Sequence, residues 1–317
     1  MLTMQLNDAS DYSIIVGKHD GLVPSRYKGR GLVALDRVYE FQSAHCCRTQ
    51  DQQAYLREYC RNLRENADVY ARAVPMLPDH VTYDLLRPAF TDLKSVPIGI
   101  KTEDQNIAAL PLRSRVLFPV IAQDLSDLAP FTEAFTRLLS DVCNVTLWDS
   151  DKRLSHLQGS VIQKNFESEV ISLFQDMVMR NNSYKDSGMD AAILENFDEK
   201  VFVIYGTKRL FEQLSEDGKE KFTLLIEKAE SQYRIHFVLI DTISQYTGFC
   251  YSSWFKQHVN GSEGVWIGDG IANQNLLNIS RLTAEIYDEI GNEHGWMVMK
   301  NRPQLVKLLT TQEMKEG

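Results

Sequence analysis

The chain has 317 residues, 44% apolar and 24% charged, which is ordinary for a globular α/β protein and enough for one core with an appendage. Its net charge of −9 comes without any cluster of Lys and Arg. That argues against a nucleic-acid groove, which must replace phosphate counterions. No stretch approaches the ~20 consecutive apolar residues of a membrane span, and residues 1–17 lack the basic and apolar regions of a signal peptide.

Residues 1–44 read as β: 2–6 alternates, 12–16 is a short apolar run, Gly29-Arg30-Gly31 is a turn, and 32–35 with 38–41 make a hairpin about Asp36-Arg37. A long helix is predicted over 50–73, where Leu56, Cys60, Leu63, Ala67 and Tyr70 form one apolar stripe, and Pro75 and Pro78 end it. The stretch 77–112 is loop-rich, with a strand over 96–100. Strand and helix then alternate: strand 116–122, helix 130–142 capped by Ser126 and Asp127, strand 145–148, helix 166–180, strand 201–205, a largely helical 210–233, strand 236–240 and strand 265–267. Continuous apolar strands separated by helices predict a parallel sheet covered on both faces. A last hairpin, 295–299 with 305–309, repeats the layout of 29–42 and aligns Gly29 with Gly295. Either two hairpins coincide, or the chain opens with the closing piece of a preceding domain and then holds one whole domain that ends alike.

The residues Tyr27-Lys28-Gly29-Arg30-Gly31-Leu32-Val33 with Tyr39-Glu40-Phe41-Gln42 resemble the end of an FtsK/SpoIIIE-type ATPase domain. So do Gly264-Val265-Trp266-Ile267-Gly268-Asp269-Gly270-Ile271 followed by Gln274. More narrowly, both resemble the C-terminal region of the EssC-type coupling ATPases of type VII (T7SSb) secretion. The resemblance implies an α/β, RecA/FtsK-like P-loop NTPase fold. It implies closing strands of a preceding ATPase domain plus a connecting helix over 1–72, a final FtsK/SpoIIIE-like domain over 73–310, and a short tail over 311–317. ATP and Mg²⁺ are the cofactors of such a family. The implied partners are the adjacent ATPase domain of the same polypeptide and secreted WXG100-type substrates or other secretion components. The implied location is the cytoplasmic face of the bacterial cell membrane, reached only through parts N-terminal to this sequence.

The family pattern puts a Walker A loop between the first core strand and its helix, with glycines for close backbone approach, a Lys for the phosphates and a Ser or Thr for Mg²⁺. The slot here reads Gln123-Asp124-Leu125-Ser126-Asp127-Leu128-Ala129-Pro130, without glycine or lysine, and Asp124 and Asp127 would repel a triphosphate at the helix N-terminus. No GKS or GKT occurs anywhere in the chain. The acidic pair of Walker B should follow strand 201–204, where Tyr205 and Gly206 stand, and Asp241-Thr242 takes a sensor-like position. The expectation is a degenerate site closed over its own helix end, with Ser126 or Asp127 accepting a backbone hydrogen bond. No cofactor, no catalytic residue and no ATPase activity are expected for this chain alone. Its work would be substrate or partner recognition and regulation of neighbouring ATPase domains. The alternative is a weak or noncanonical ATP-hydrolysing motor; a DNA translocase is disfavoured by the acidic charge.

Five cysteines, an odd number without a secretion signal, point to free thiols in a reducing compartment. His45, Cys46, Cys47 and Cys60 raise a zinc reading, but adjacent ligands reach one tetrahedral ion poorly and no Cys-x-x-Cys occurs, so no metal is expected. Cys60, on the predicted helix's stripe, reads as core. Tyr246, Phe249, Tyr251, Trp254 and Phe255 crowd one stretch, either as core or as a partly exposed patch that docks a partner. Gly268-Asp269-Gly270 is a turn after a strand or a functional loop.

Overall fold

The chain divides into two units, Met1–Val74 and Pro75–Gly317; the computed structural model describes residues 1–44, 47, 51–66, 76–154 and 161–311. In the first unit β1 (Leu2–Met4), β2 (Arg30–Ala34) and β3 (Val38–Gln42) form an antiparallel sheet in that order. Residues 12–16, read in the sequence as an apolar strand, belong to a short helix, α1 (Asp11–Val16). Tyr12 and Val16, four apart on one helical face, are the pair that covers Leu32, and the Tyr12 hydroxyl accepts from Leu6 N at 2.8 Å. The described part of the predicted long helix is α2 (Gln52–Asn66). Its stripe residues Leu56, Cys60 and Leu63 are exposed, so Cys60 is not a core residue. Periodicity marks which face of a helix is apolar, not what covers it. Ala67, Tyr70, His45 and Cys46 lie outside the described residues.

The second unit contains α3 (Tyr83–Leu86), β4 (Val96–Lys101), β5 (Ile107–Leu110), β6 (Leu117–Ala122), α4 (Ala129–Leu139), β7 (Asn144–Asp149), β8 (Val161–Ile162), α5 (Phe166–Asp186), β9 (Lys200–Tyr205), α6 (Thr207–Gln213), α7 (Glu216–Lys228), β10 (Ile235–Thr242), α8 (Ile243–Tyr246), α9 (Ser253–His258), β11 (Gly264–Ile267), β12 (His294–Met299) and β13 (Arg302–Leu308). Ten strands make one sheet in the order β5-β4-β13-β12-β11-β6-β10-β9-β7-β8. From β11 to β8 the pairing is parallel, as the alternation predicts; from β11 to β5 it is antiparallel. Every residue of β6, β10 and β11 is buried; β6 and β11 carry no polar side chain, and β10 is apolar from Phe237 to Ile240. An apolar cluster packs on each sheet face. α4 brings Phe131, Phe135, Leu138 and Leu139 to one; α5 brings Phe166, Val170, Leu173 and Met177 to the other at helical spacing. Each large side chain fully buried in this way contributes roughly 1.5–3 kcal/mol. The helix predicted over 210–233 is broken at Leu214, whose extended backbone (φ −88°, ψ 146°) lets Ser215 cap α7 by accepting from Gly218 N at 3.1 Å.

The last three strands of the second unit have the arrangement of the first unit's sheet. β11-β12-β13 and β1-β2-β3 share their order and antiparallel sense. Gly295 lies opposite Ile267 as Gly31 lies opposite Met4. A Cβ on Gly295 would stand 2.5 Å from the Trp266 carbonyl oxygen, and one on Gly31 2.3 Å from that of Thr3, the matching ladder position. His294 N donates to Gly291 O at 3.2 Å as Arg30 N does to Tyr27 O at 3.1 Å. Leu308 N donates to Glu293 O as Ser43 N does to Gly29 O, both at 2.8 Å. The repeat therefore pairs Gly31, not Gly29, with Gly295, because glycine is needed where a neighbouring strand's carbonyl leaves no room for a Cβ.

Candidate nucleotide site

Open parallel sheets bind ligands beyond the carboxyl ends of their strands, where the strand order reverses. Here the chain runs from β6 out to β7, returns through β9 and β10, and crosses to β11 on the other side of β6. The carboxyl ends of β6, β9 and β10 thereby assemble the slot 123–130, Tyr205-Gly206 and Asp241-Thr242, three segments far apart in sequence.

The slot is a single 3₁₀ turn, Leu125–Leu128, leading into α4. Its cap is Asp124, which accepts from Ser126 N at 2.9 Å and Ser126 Oγ at 2.8 Å. Those bonds hold its carboxyl below the usual range. The expected cap was Ser126 or Asp127. The 3₁₀ turn moves the true helix entry two to three residues earlier, so Ser126 donates its amide and Asp127 faces away. Asp127 Oδ1 accepts from Asn292 Nδ2 at 2.8 Å. Burial and the nearby Asp124 and Asp269 push its carboxyl up, against that hydrogen bond. Pro130 lies in the first turn of α4, where no amide donor is lost. Gln123 lies under the loop after β11: a Cβ on Gly270 (φ +87°) would come 2.9 Å from its Nε2. Asp269 in that loop accepts from Ile290 N at 2.6 Å and Gly291 N at 3.0 Å.

Tyr205 ends β9 fully buried, and its hydroxyl donates to the Leu125 carbonyl at 2.6 Å, tying the strand end to the slot. Burial raises its phenol further above the ordinary range. Gly206 has φ +80°, and Ser150 Oγ donates to the carbonyls of Tyr205, at 3.0 Å, and Gly206. Asp241, buried, accepts from Lys208 N and Thr242 N, each at 2.8 Å. Burial pushes its carboxyl up to about 6 despite those two amides. Thr242 caps α8, accepting from Gln245 N at 3.4 Å.

Several residues at this sheet end were not singled out in the sequence. Asp149 accepts from Leu154 N at 2.9 Å and Gln163 Nε2 at 2.7 Å. The Asp151 carboxylate, nearly inaccessible, pairs with Arg153 and Arg209, each at 2.5 Å. The polar run Asp149-Ser150-Asp151 directly after an apolar strand was the available signal; Asn292 gave none, since it reaches Asp127 across 165 positions. Residues 123–130 carry neither lysine nor glycine, and Tyr205-Gly206 at the end of β9 carries no carboxylate, whereas a magnesium-triphosphate site uses all three. Among the described residues no group of three or more His, Cys, Asp or Glu is placed to hold a metal.

The aromatic stretch is core, not a docking patch. Tyr246, Phe249, Trp254 and Phe255 are buried in the cluster under α5 and α7, with Trp254 stacked on Phe211 at 5.4 Å and the Tyr246 hydroxyl directed to the Val120 carbonyl at 3.5 Å. The short helices α8 and α9 and the turn between them place these four inward, leaving Tyr251, 87% exposed, outside with Lys256 Nζ 5.5 Å from its ring. Gly268 and Gly270 both have positive φ, which the turn after β11 requires.

This parallel sheet with its switch point at β6 is that of the P-loop ATPases. The chain is similar to the cytoplasmic domain of EssC (13% identity, TM-score 0.62, covering 97% of this chain and 63% of that one). It is similar also to EssC ATPases 2 and 3 from Geobacillus thermodenitrificans (14% identity, TM-score 0.66, 96% of this chain and 60% of that one). A third likeness is to Thermomonospora curvata EccC ATPases 2 and 3, solved in complex with a signal sequence peptide (15% identity, TM-score 0.58, 92% of this chain and 55% of that one). This chain thus spans less than two thirds of each of these structures. Neither a family model nor a curated protein sequence matches it. Among the described residues no helix is long and apolar enough to cross a membrane.

Proposed function

We propose that this chain joins the closing strands of one ATPase domain to a complete but degenerate ATPase-like module of the type VII secretion kind, and that the module works by binding rather than hydrolysis. The observation that carries the reading is the Tyr205 hydroxyl donating to the Leu125 carbonyl at 2.6 Å. A Walker B carboxylate at that strand end would hold Mg²⁺ and orient water; a buried phenol has no charge to offer the ion. The same bond fastens the Walker A slot, where Ser126 N already donates to Asp124. A weak ATPase reading would rest on Asp241, but its two oxygens serve the amides of Lys208 and Thr242.

The likeness to EssC and EccC, proteins with several ATPase domains, supports neighbouring ATPase domains as partners and the cytoplasmic face of the membrane as the place of work. The peptide bound to the T. curvata EccC ATPases supports a secretion signal, as on WXG100-type substrates, as the ligand class. The repeat of β11-β12-β13 in β1-β2-β3 supports reading the first unit as the end of a preceding domain's sheet. Titration calorimetry tests the central claim: MgATP is expected to give no binding heat with this chain, and steady-state assays no turnover. Tyr205→Phe is expected to lower stability by about 1 kcal/mol through the lost hydrogen bond without creating ATP affinity. Tight MgATP binding, displaced by ADP, would overturn the reading.

A further inference from the structure

We infer that Lys28 faces the phosphates of a nucleoside triphosphate held by the α/β domain whose sheet the first unit closes; this rests on the domain reading proposed above. The repeat fixes the position. Tyr27 and Gly29 make the turn and ladder bonds that Gly291 and Glu293 make in the second unit, so Lys28 stands where Asn292 stands. Asn292 is the residue that reaches from this lip to the phosphate-loop slot, donating to Asp127 at 2.8 Å. A neutral amide suits a slot that carries its own carboxylate. An ammonium with three donors on a four-carbon stem suits a slot filled by phosphate.

The surrounding charge changes in the same sense. The lip of the second unit carries Asp288, Glu289 and Glu293, all exposed, beside a slot without phosphate-binding residues. The matching lip of the first unit carries Arg26 and Lys28, both exposed, while the carboxylate beside it, Glu40, is engaged by Ser25 N at 2.6 Å and by Arg30 at 3.8 Å. Its backbone is held while the Lys28 side chain stays outside. Gln42 Nε2 donates to the Lys28 carbonyl at 3.2 Å, and Gly29 (φ +87°) has no room for a Cβ, which would lie 2.7 Å from Ser43 Oγ. A fixed turn presenting a basic side chain is how a phosphate contact is preorganised.

The test is MgATP and MgADP titration of the native polypeptide that carries this sequence, as wild type, Lys28→Glu and Lys28→Arg, with thermal melting of each. Lys28→Glu is expected to weaken one MgATP site about tenfold or more, the scale of a lost charge-assisted contact, and to weaken MgADP less. Lys28→Arg is expected to stay near wild type, and all three to melt alike. If Lys28→Glu binds MgATP as wild type does, or loses MgATP and MgADP equally, Lys28 does not contact the terminal phosphate and the inference fails while the domain reading stands. If the wild type binds no MgATP at all, the domain reading fails with it.

Discussion

Asp241 is a carboxyl group buried among strand ends, and its two amide donors do not fully repay the lost water. Burial raises it from 3.8 to about 6, so between those values the folded chain keeps a proton that the unfolded chain releases. Its contribution to stability is complete below the unfolded value and is lost as pH rises through about 6. Asp241→Asn cannot ionise. The variant should be less stable than wild type near pH 4, where one amide bond is spoiled, and the gap should close by up to about 3 kcal/mol by neutral pH. Urea unfolding of both proteins across that range measures it; a constant gap would show that Asp241 titrates in the fold as it does in the unfolded chain, with no shift from burial. At this scale the sequence showed which groups the slot lacks, because absence of Lys and Gly from 123–130 needs no coordinates. It did not show that Tyr205 reaches Leu125, or that Asn292 reaches Asp127, since those meetings are made by the order of strands. The cap was placed on Ser126 or Asp127 rather than Asp124 because a 3₁₀ turn and an α-helix entry share the same residue preferences.

Strands and hairpins show a similar division between pattern and placement. β6, β9, β10 and β11 were legible as apolar runs, and the β12–β13 hairpin as two runs about Asn301, where Lys300 and Asn301 both take positive φ. β5, four residues between turn signals, is too short to stand out as a strand, and the six residues of α1 are too few for a helical period to show. What pattern could not give is the register of the repeated three-strand element, which close packing fixes. Gly295→Ala places a Cβ 2.5 Å from the Trp266 carbonyl and 2.8 Å from Leu308 Cδ1. Backbone on one side and a strand partner on the other must shift, so the substitution should lower stability by about 1–3 kcal/mol, read from the midpoint of denaturant unfolding. A stability within experimental error of wild type would mean that the β11–β12 ladder is looser than this register requires.

At the scale of the whole molecule, charge says more about partners than fold does. The fold by itself does not say whether such a module acts on protein or on nucleic acid. Electrostatics argues against DNA. The chain carries 43 acidic and 34 basic residues. Several cations are committed internally: Arg113 to Glu199, Arg115 to Glu263, Arg180 to Asp176, and Arg153 and Arg209 to Asp151. The sheet end that would face a ligand adds Asp124, Asp127 and Asp269. Non-specific DNA affinity comes from phosphates neutralised by Lys and Arg, and typical dissociation constants are about 10⁻⁴–10⁻⁶ M at physiological salt. With a net charge of −9, no cluster of Lys and Arg and an acidic rim, few counterions are released and the gain is small. Fluorescence anisotropy with a labelled duplex should therefore show no saturable binding up to about 10⁻⁴ M protein, and lowering the salt should not bring it into range. Micromolar binding that weakens steeply as salt rises would make this chain a DNA-binding module and remove the ground for reading it as a protein-binding one.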